Sequence, residues 1–140
     1  MRYIGLDLGT SSLGVAITDK TNTIVSPLKL ISFSHEDYDN AVLEITKLAN
    51  LYNVTNLVLG LPKNMDNSLG FAASRSLNFK KMLEDKGFKV FLEDERLTTM
   101  QAINIMKNNG MKKINQKKKT DVLSAVLILE SFLKRIKYEE

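Results

Sequence analysis

Three short apolar runs, at residues 2–8, 14–18 and 24–33, are separated only by the small polar stretches 9–13 and 19–22. A parallel crossover needs a dozen or more residues, so runs joined this tightly can pair as strands only in an antiparallel meander. In the first run Ile4, Leu6 and Leu8 fall on one face, Gly5 and Asp7 on the other. Pro27 inside the third run suits an edge strand or a bulge.

After residue 36 the apolar period changes. Ala41, Ile45, Leu48, Ala49 and Tyr52 recur at helical spacing, which predicts a helix over 37–52. A compact buried strand is predicted over 57–61, ended by Pro62, and a helix over 70–86, closed by Gly87. A strand at 90–92 precedes the run Glu93-Asp94-Glu95-Arg96. A helix over 98–108 then stops at Asn109-Gly110. A lysine-rich loop follows, and a last helix over 122–136, apolar almost all round between 122 and 129 and therefore buried on more than one side. Strands alternating with helices behind a meander predict an α/β fold, a mixed sheet with helices on both faces. At 140 residues the chain suits one domain, 1–140.

Composition narrows the chemistry. The chain has no cysteine and a single histidine, His35, which excludes a disulfide framework, a thiolate zinc site, a cysteine nucleophile and a two-histidine metal site. Catalysis must then run on carboxylates, lysines or backbone amides. Asp7 interrupts the N-terminal apolar run, so that run is not a signal peptide, and no apolar stretch approaches the roughly 18 residues of a membrane span. The expectation is a cytoplasmic protein with no membrane partner.

The net charge of +4 is uneven. Residues 97–120 contain no acid and six lysines, and a segment of +6 in a chain of +4 leaves −2 for the other 116 residues. A lysine cluster of this kind either forms a solvated face or meets a phosphate-rich partner.

Three acids stand at the boundaries of buried elements. Asp7 lies late in the first strand, where a carboxylate is costly without a partner. It either bonds the 9–12 turn or serves a site. Glu95 follows the 90–92 strand and is either an ion-pair partner of Arg96 or a lysine, or a site residue. Asp121 opens the predicted last helix, where the macrodipole alone would favour an acid. If the three converge, a carboxylate set without histidine or cysteine suits a hard cation such as Mg²⁺ or Mn²⁺. Two such ions can clamp the attacking and leaving oxygens of a phosphodiester.

Four blocks carry a resemblance over essentially the whole chain. They are Asp7-Leu8-Gly9-Thr10 through Gly14-Val15-Ala16; Val58-Leu59-Gly60-Leu61-Pro62 through Met65-Asp66-Asn67-Ser68 to Gly70 and Ala73; Asp94-Glu95-Arg96-Leu97-Thr98-Thr99 with Ala102; and Lys118-Lys119-Thr120-Asp121 through Ser124-Ala125 to Ile128-Leu129-Glu130-Ser131-Phe132-Leu133. In this order and spacing they resemble the YqgF/RuvX family of pre-16S rRNA nucleases, related to RuvC Holliday-junction resolvases.

The resemblance implies an RNase H-like fold and a nuclease of ribosome biogenesis acting on structured RNA at the 5′ end of pre-16S rRNA, with Mg²⁺ or Mn²⁺, two ions, as cofactor. It implies Asp7, Glu95 and Asp121 as catalytic, metal-binding acids. Gly9, Thr10, Arg75, Arg96, Thr98, Lys117, Lys118 and Lys119 would contact substrate or support the acids, Arg96 equally well as an ion-pair partner of Glu95 or Asp94. Two positions depart from the family pattern: Ser11 stands where relatives are often basic, and Asn67 where they usually have glycine. The alternatives are a resolvase cutting branched four-way DNA, a non-catalytic RNA-binding assembly factor, and an actin-like or sugar-kinase-like nucleotide domain suggested by residues 7–12. His35 reads as a solvated corner residue and Asp66 as a loop-stabilising acid.

Overall fold

The structure, a computed structural model, describes residues 1–62 and 70–94, the backbone of 113–139, and the side chains of 122–137 within that last stretch. Five strands, β1 (Tyr3–Leu8), β2 (Ser12–Thr18), β3 (Val25–Ser32), β4 (Asn56–Leu61) and β5 (Lys89–Asp94), form one sheet in the order β3-β2-β1-β4-β5. β1, β2 and β3 pair antiparallel, as their short connections require, whereas β4 and β5 run parallel to β1. The sheet is therefore mixed, and β1 is central. β3 is the edge strand, and its register slips so that Val15 faces Lys29 but Ala16 faces Pro27. Leu28 is the extra residue of a bulge, and Pro27 withholds no hydrogen bond from a strand beyond it.

Helices cover both faces. α1 (Tyr38–Tyr52) and α2 (Phe71–Asp85) seal one side, where Ala41, Ile45, Ala49, Phe79 and Leu83 meet Ile4, Leu6, Leu13, Val15, Leu57 and Leu59. Asp37 caps α1 by accepting from the Asn40 N–H, and Asn53 ends it in the left-handed region at φ 56°. α3 (Lys113–Glu139) covers the other side through Ala125, Ile128, Leu129, Phe132 and Leu133, packed on Ala16 and Val58. Tyr3, Phe91 and Phe132 interlock there at ring separations of 5.2–6.1 Å.

The largest difference from the sequence reading is the start of α3. It begins at position 113, nine residues before the expected 122, so the lysine-rich stretch 113–120 is helical backbone rather than a loop. The expected helix over 98–108 lies outside the described residues. No described helix is long and apolar enough to cross a membrane.

The β2–β3 connection is held by Asp19. Its carboxylate accepts from the Thr21 hydroxyl (2.6 Å) and from the Ile24 and Thr23 N–H groups (3.0 and 2.8 Å). These bonds, the Thr21 hydroxyl foremost, hold the carboxyl at about 2, against an ordinary 3.8. With the folded value below the unfolded one, the Asp19 contribution is complete above about pH 4 and is lost as the pH falls through the folded value. An NMR titration should find the Asp19 midpoint near 2, and Asp19→Asn should remove that share of the acid sensitivity. A midpoint at the ordinary value would mean the turn is open in solution.

Candidate active site

The residues of β1 alternate between the two cores. Ile4 and Leu6 enter the core under α1 and α2, which turns Tyr3, Gly5 and Asp7 toward the face of α3. Asp7 is half-buried near the C-terminal end of the central strand. Its partner across β2 is Gly14. On the other side Leu6 faces Leu59, so the register continued by one residue sets Gly60 beside Asp7. A carboxylate flanked on its own face by two glycines has lateral space that side chains would otherwise fill. Asp7 does make an interaction of its own within the fold.

α3 approaches this face closely. An ideal Cβ on Gly5 would lie 2.8 Å from the Ala125 carbonyl oxygen and 2.9 Å from Leu129 Cβ, so only glycine admits the helix here. The rings of Tyr3 and Phe132 are 5.3 Å apart, so advancing along β1 means moving back along α3. Two residues of strand, roughly 6–7 Å, carry the chain from Gly5 to Asp7. One helical turn, roughly 5–6 Å, carries α3 from Ala125 back to position 121. Position 121 lies one turn before Ala125 on the helix that packs against the face toward which Asp7 turns. Position 121 is nine residues into α3, well past its first turn. The expectation that Asp121 opens the helix is corrected, and the macrodipole no longer accounts for an acid there.

The turn after Asp7 is tied down. Gly9 N–H donates to the Ser12 carbonyl (2.8 Å), Phe33 N–H to Ser11 (3.0 Å) and Glu36 N–H to Thr10 (2.7 Å). Glu36 holds a left-handed φ of 59° to make its bond, a strained conformation for a non-glycine residue. The β3–α1 corner is in this way clamped to the turn beside Asp7. Two residues on, Tyr38 packs edge-on against Phe33 (5.9 Å) and Phe79 (6.3 Å). Its buried hydroxyl has no hydrogen-bond partner among the described residues. Burial pushes the phenol up from its ordinary value, opposed by the Arg75 guanidinium and helped by the Glu36 carboxylate. Arg75 lies one turn before Phe79 on α2, which brings its charge to this corner.

The parallel arrangement also fixes β5. Phe91 faces α3, and Glu93 follows on the same face. Glu93 is almost fully buried, accepting from the Ser131 hydroxyl (2.7 Å) and from Arg135 Nε (2.9 Å) and the guanidinium terminus (2.8 Å). This clamp ties α3 to the strand that delivers the chain to Glu95. Sequence reasoning passed over Glu93 as one acid in a charged run; the signal was its two-residue spacing from Phe91 and Glu95. Arg135→Met should cost about 1–3 kcal/mol in urea unfolding, because it strands a buried carboxylate. The guanidinium's 44% exposure argues for the lower half of that range. A change below about 0.3 kcal/mol would make the clamp irrelevant to stability.

A model of the RuvX family, described as Holliday junction resolvase, matches residues 1–135. The chain belongs to the RuvX family. A protein of Aster yellows witches'-broom phytoplasma (strain AYWB), named as a pre-16S rRNA nuclease, is 41% identical over 136 residues, covering 96% of this chain and 89% of that one. Among solved structures, RuvC of T. thermophilus in complex with a Holliday junction substrate matches with a TM-score of 0.62 at 14% identity, covering 97% of this chain and 96% of that one. The Fowlpox virus resolvase with Holliday junction DNA matches with a TM-score of 0.57 at 18% identity, covering 97% and 99%. At those identities the likeness is one of fold, and the fold is RNase H-like, as the sequence blocks implied.

In this RuvX-family chain the structure gathers part of the expected set. Asp7, Gly9 and Thr10 share one strand end and turn. Position 121 belongs to α3, one turn before the Ala125 that packs on Gly5. Arg75 stands at the neighbouring corner beside Tyr38, on the α1/α2 side. Glu95, Arg96, Thr98 and Asp66 lie outside the described residues, as do the side chains of Lys117, Lys118, Lys119 and Asp121. His35 is exposed at 3.6 Å from Glu36, as a solvated corner residue should be.

Proposed function

We propose that this RuvX-family protein is a divalent-metal-dependent nuclease that hydrolyses phosphodiester bonds and trims the 5′ side of the 16S rRNA precursor, in the cytoplasm, as a single domain over 1–140. The observation that carries the reading is the seat of Asp7. It is a carboxylate near the end of the central strand, paired with Gly14 and, by the β1–β4 register continued one residue, set beside Gly60, under a helix drawn against Gly5. The RNA substrate is supported by the name that relatives about 40% identical carry.

The donor chemistry fits a hard metal. Asp7 offers carboxylate oxygen, the chain has no thiol, and its one imidazole is exposed to solvent beside Glu36. Asp7, Glu95 and Asp121 would hold Mg²⁺ or Mn²⁺, two ions. When bound, such ions supply an activated water and neutralise charge on the leaving oxygen. The chain's own residues do the rest. The Gly9–Ser12 turn, braced through Thr10 and Ser11, keeps Asp7 from shifting with the edge of the sheet. Arg75 engages a phosphate away from the cut. Arg96, Thr98 and Lys117–Lys119 extend that contact along the strand.

Purified protein and an end-labelled precursor rRNA fragment test the reading. Discrete cleavage in Mg²⁺ or Mn²⁺ that EDTA abolishes is expected. Cleavage unaffected by EDTA would remove the metal from the mechanism. The family description favours one rival, a four-way DNA junction as substrate. That rival requires a two-fold dimer to make paired cuts. An intact precursor beside a resolved junction, with a dimeric mass in solution, would replace RNA by branched DNA.

A further inference from the structure

The chain has six phenylalanines. Phe33, Phe79, Phe88, Phe91 and Phe132 are all built into the two cores. Phe71 is 89% exposed, the most exposed large apolar side chain among the described residues. It is the first residue of α2.

Its place in the fold is informative. α2 ends at Asp85, just before β5 starts at Lys89, level with Tyr3 at the start of β1. A helix of 15 residues is about 22 Å long, so its other end reaches the opposite edge of the sheet, where β1 ends beside Asp7. Arg75 lies one turn after Phe71, and residues four apart share a helix face. An exposed aromatic ring and a guanidinium therefore stand about 6 Å apart along the axis, on the edge that carries the candidate site. Among the described residues its neighbours Gly70, Ala72 and Ser74 add no large apolar surface, and a single ring is too small a patch to seat a protein. A flat π-face beside a phosphate-binding cation suits an unpaired nucleobase, because base–aromatic stacking needs only one ring and tolerates any sequence.

We infer that Phe71 is a stacking platform for an unpaired base of the substrate, with Arg75 on a neighbouring phosphate. The inference rests on the nuclease reading above and adds to it a preference for single-stranded or splayed nucleic acid.

Because Phe71 is exposed, its variants should fold normally. The chain contains no tryptophan, so Phe71→Trp introduces a single fluorophore at this position. Binding is measured in EDTA, which is expected to block cleavage, with a labelled single-stranded RNA 12-mer and with the blunt duplex of the same sequence. Phe71→Ala should weaken single-strand binding about tenfold and leave duplex binding within twofold. Phe71→Leu should not restore the loss. Phe71→Trp should restore it, with its fluorescence quenched on adding the single strand. Equal affinity of Phe71→Ala and wild type for the single strand, or an unquenched tryptophan in the bound state, overturns the inference while leaving the nuclease reading intact. A wild-type protein that binds neither RNA overturns both.

Discussion

Asp7→Asn is expected to slow hydrolysis of the labelled precursor by about two to three orders of magnitude at saturating Mg²⁺. Asparagine keeps the shape of the side chain and an acceptor oxygen, so cooperative unfolding should survive. It removes the negative charge at the centre of the proposed cation site. The neighbours in register on the two adjoining strands cannot supply a substitute charge, because one is Gly14 and the register sets Gly60 on the other side. The two RNA affinities in EDTA should stay within a few-fold of wild type, which separates lost chemistry from lost binding. A variant that cuts within threefold of the wild-type rate would detach Asp7 from the reaction.

Gly5→Ala should produce the largest loss of stability from a single methyl group. The new Cβ meets the Ala125 carbonyl oxygen at 2.8 Å and Leu129 Cβ at 2.9 Å. Neither is the loose end of a flexible chain, so helix and sheet must separate. Overpacking of this kind costs about 2–3 kcal/mol, which for a chain of this size lowers the melting temperature by roughly 8–12 °C. Cleavage should fall with it even below the melting temperature, since the same contact seats α3 against the strand that carries Asp7. Gly87→Ala is the useful contrast. The added carbon there meets open space and only the φ of 95° resists it, at about 1 kcal/mol. Equal melting temperatures for Gly5→Ala and wild type would mean that α3 does not pack this closely in solution.

Much of the fold is legible in local pattern. Three apolar runs with short connections leave no option but a meander, and the switch from a period of two to a period near 3.6 separates strands from helices. Pro27 announces both the edge and the bulge at Leu28. Asp7 stands out because a carboxylate inside an apolar strand needs a reason. The start of α3 is not legible in this way. Residues 113–120 carry one apolar side chain and four lysines, so no apolar stripe marks them. Lysine and glutamine are nevertheless good helix formers, and once 122–136 is pinned to the sheet, each added turn extends an existing helix rather than nucleating a new one.

Sequence alone determined the residue types available for chemistry: carboxylates without thiols and with one solvated histidine. It also determined the alternation that turns Asp7 away from the core beneath α1 and α2. Only tertiary structure decided which positions meet. The contact of Gly5 with Ala125 and Leu129, the Glu93–Arg135 clamp across 42 residues and the approach of Arg75 to Tyr38 all depend on strand register and on how the helices lie on the two faces of the sheet. Those are contacts between segments far apart in the chain. Periodicity reports which face of an element is buried, but not which residue of a distant element lies against it.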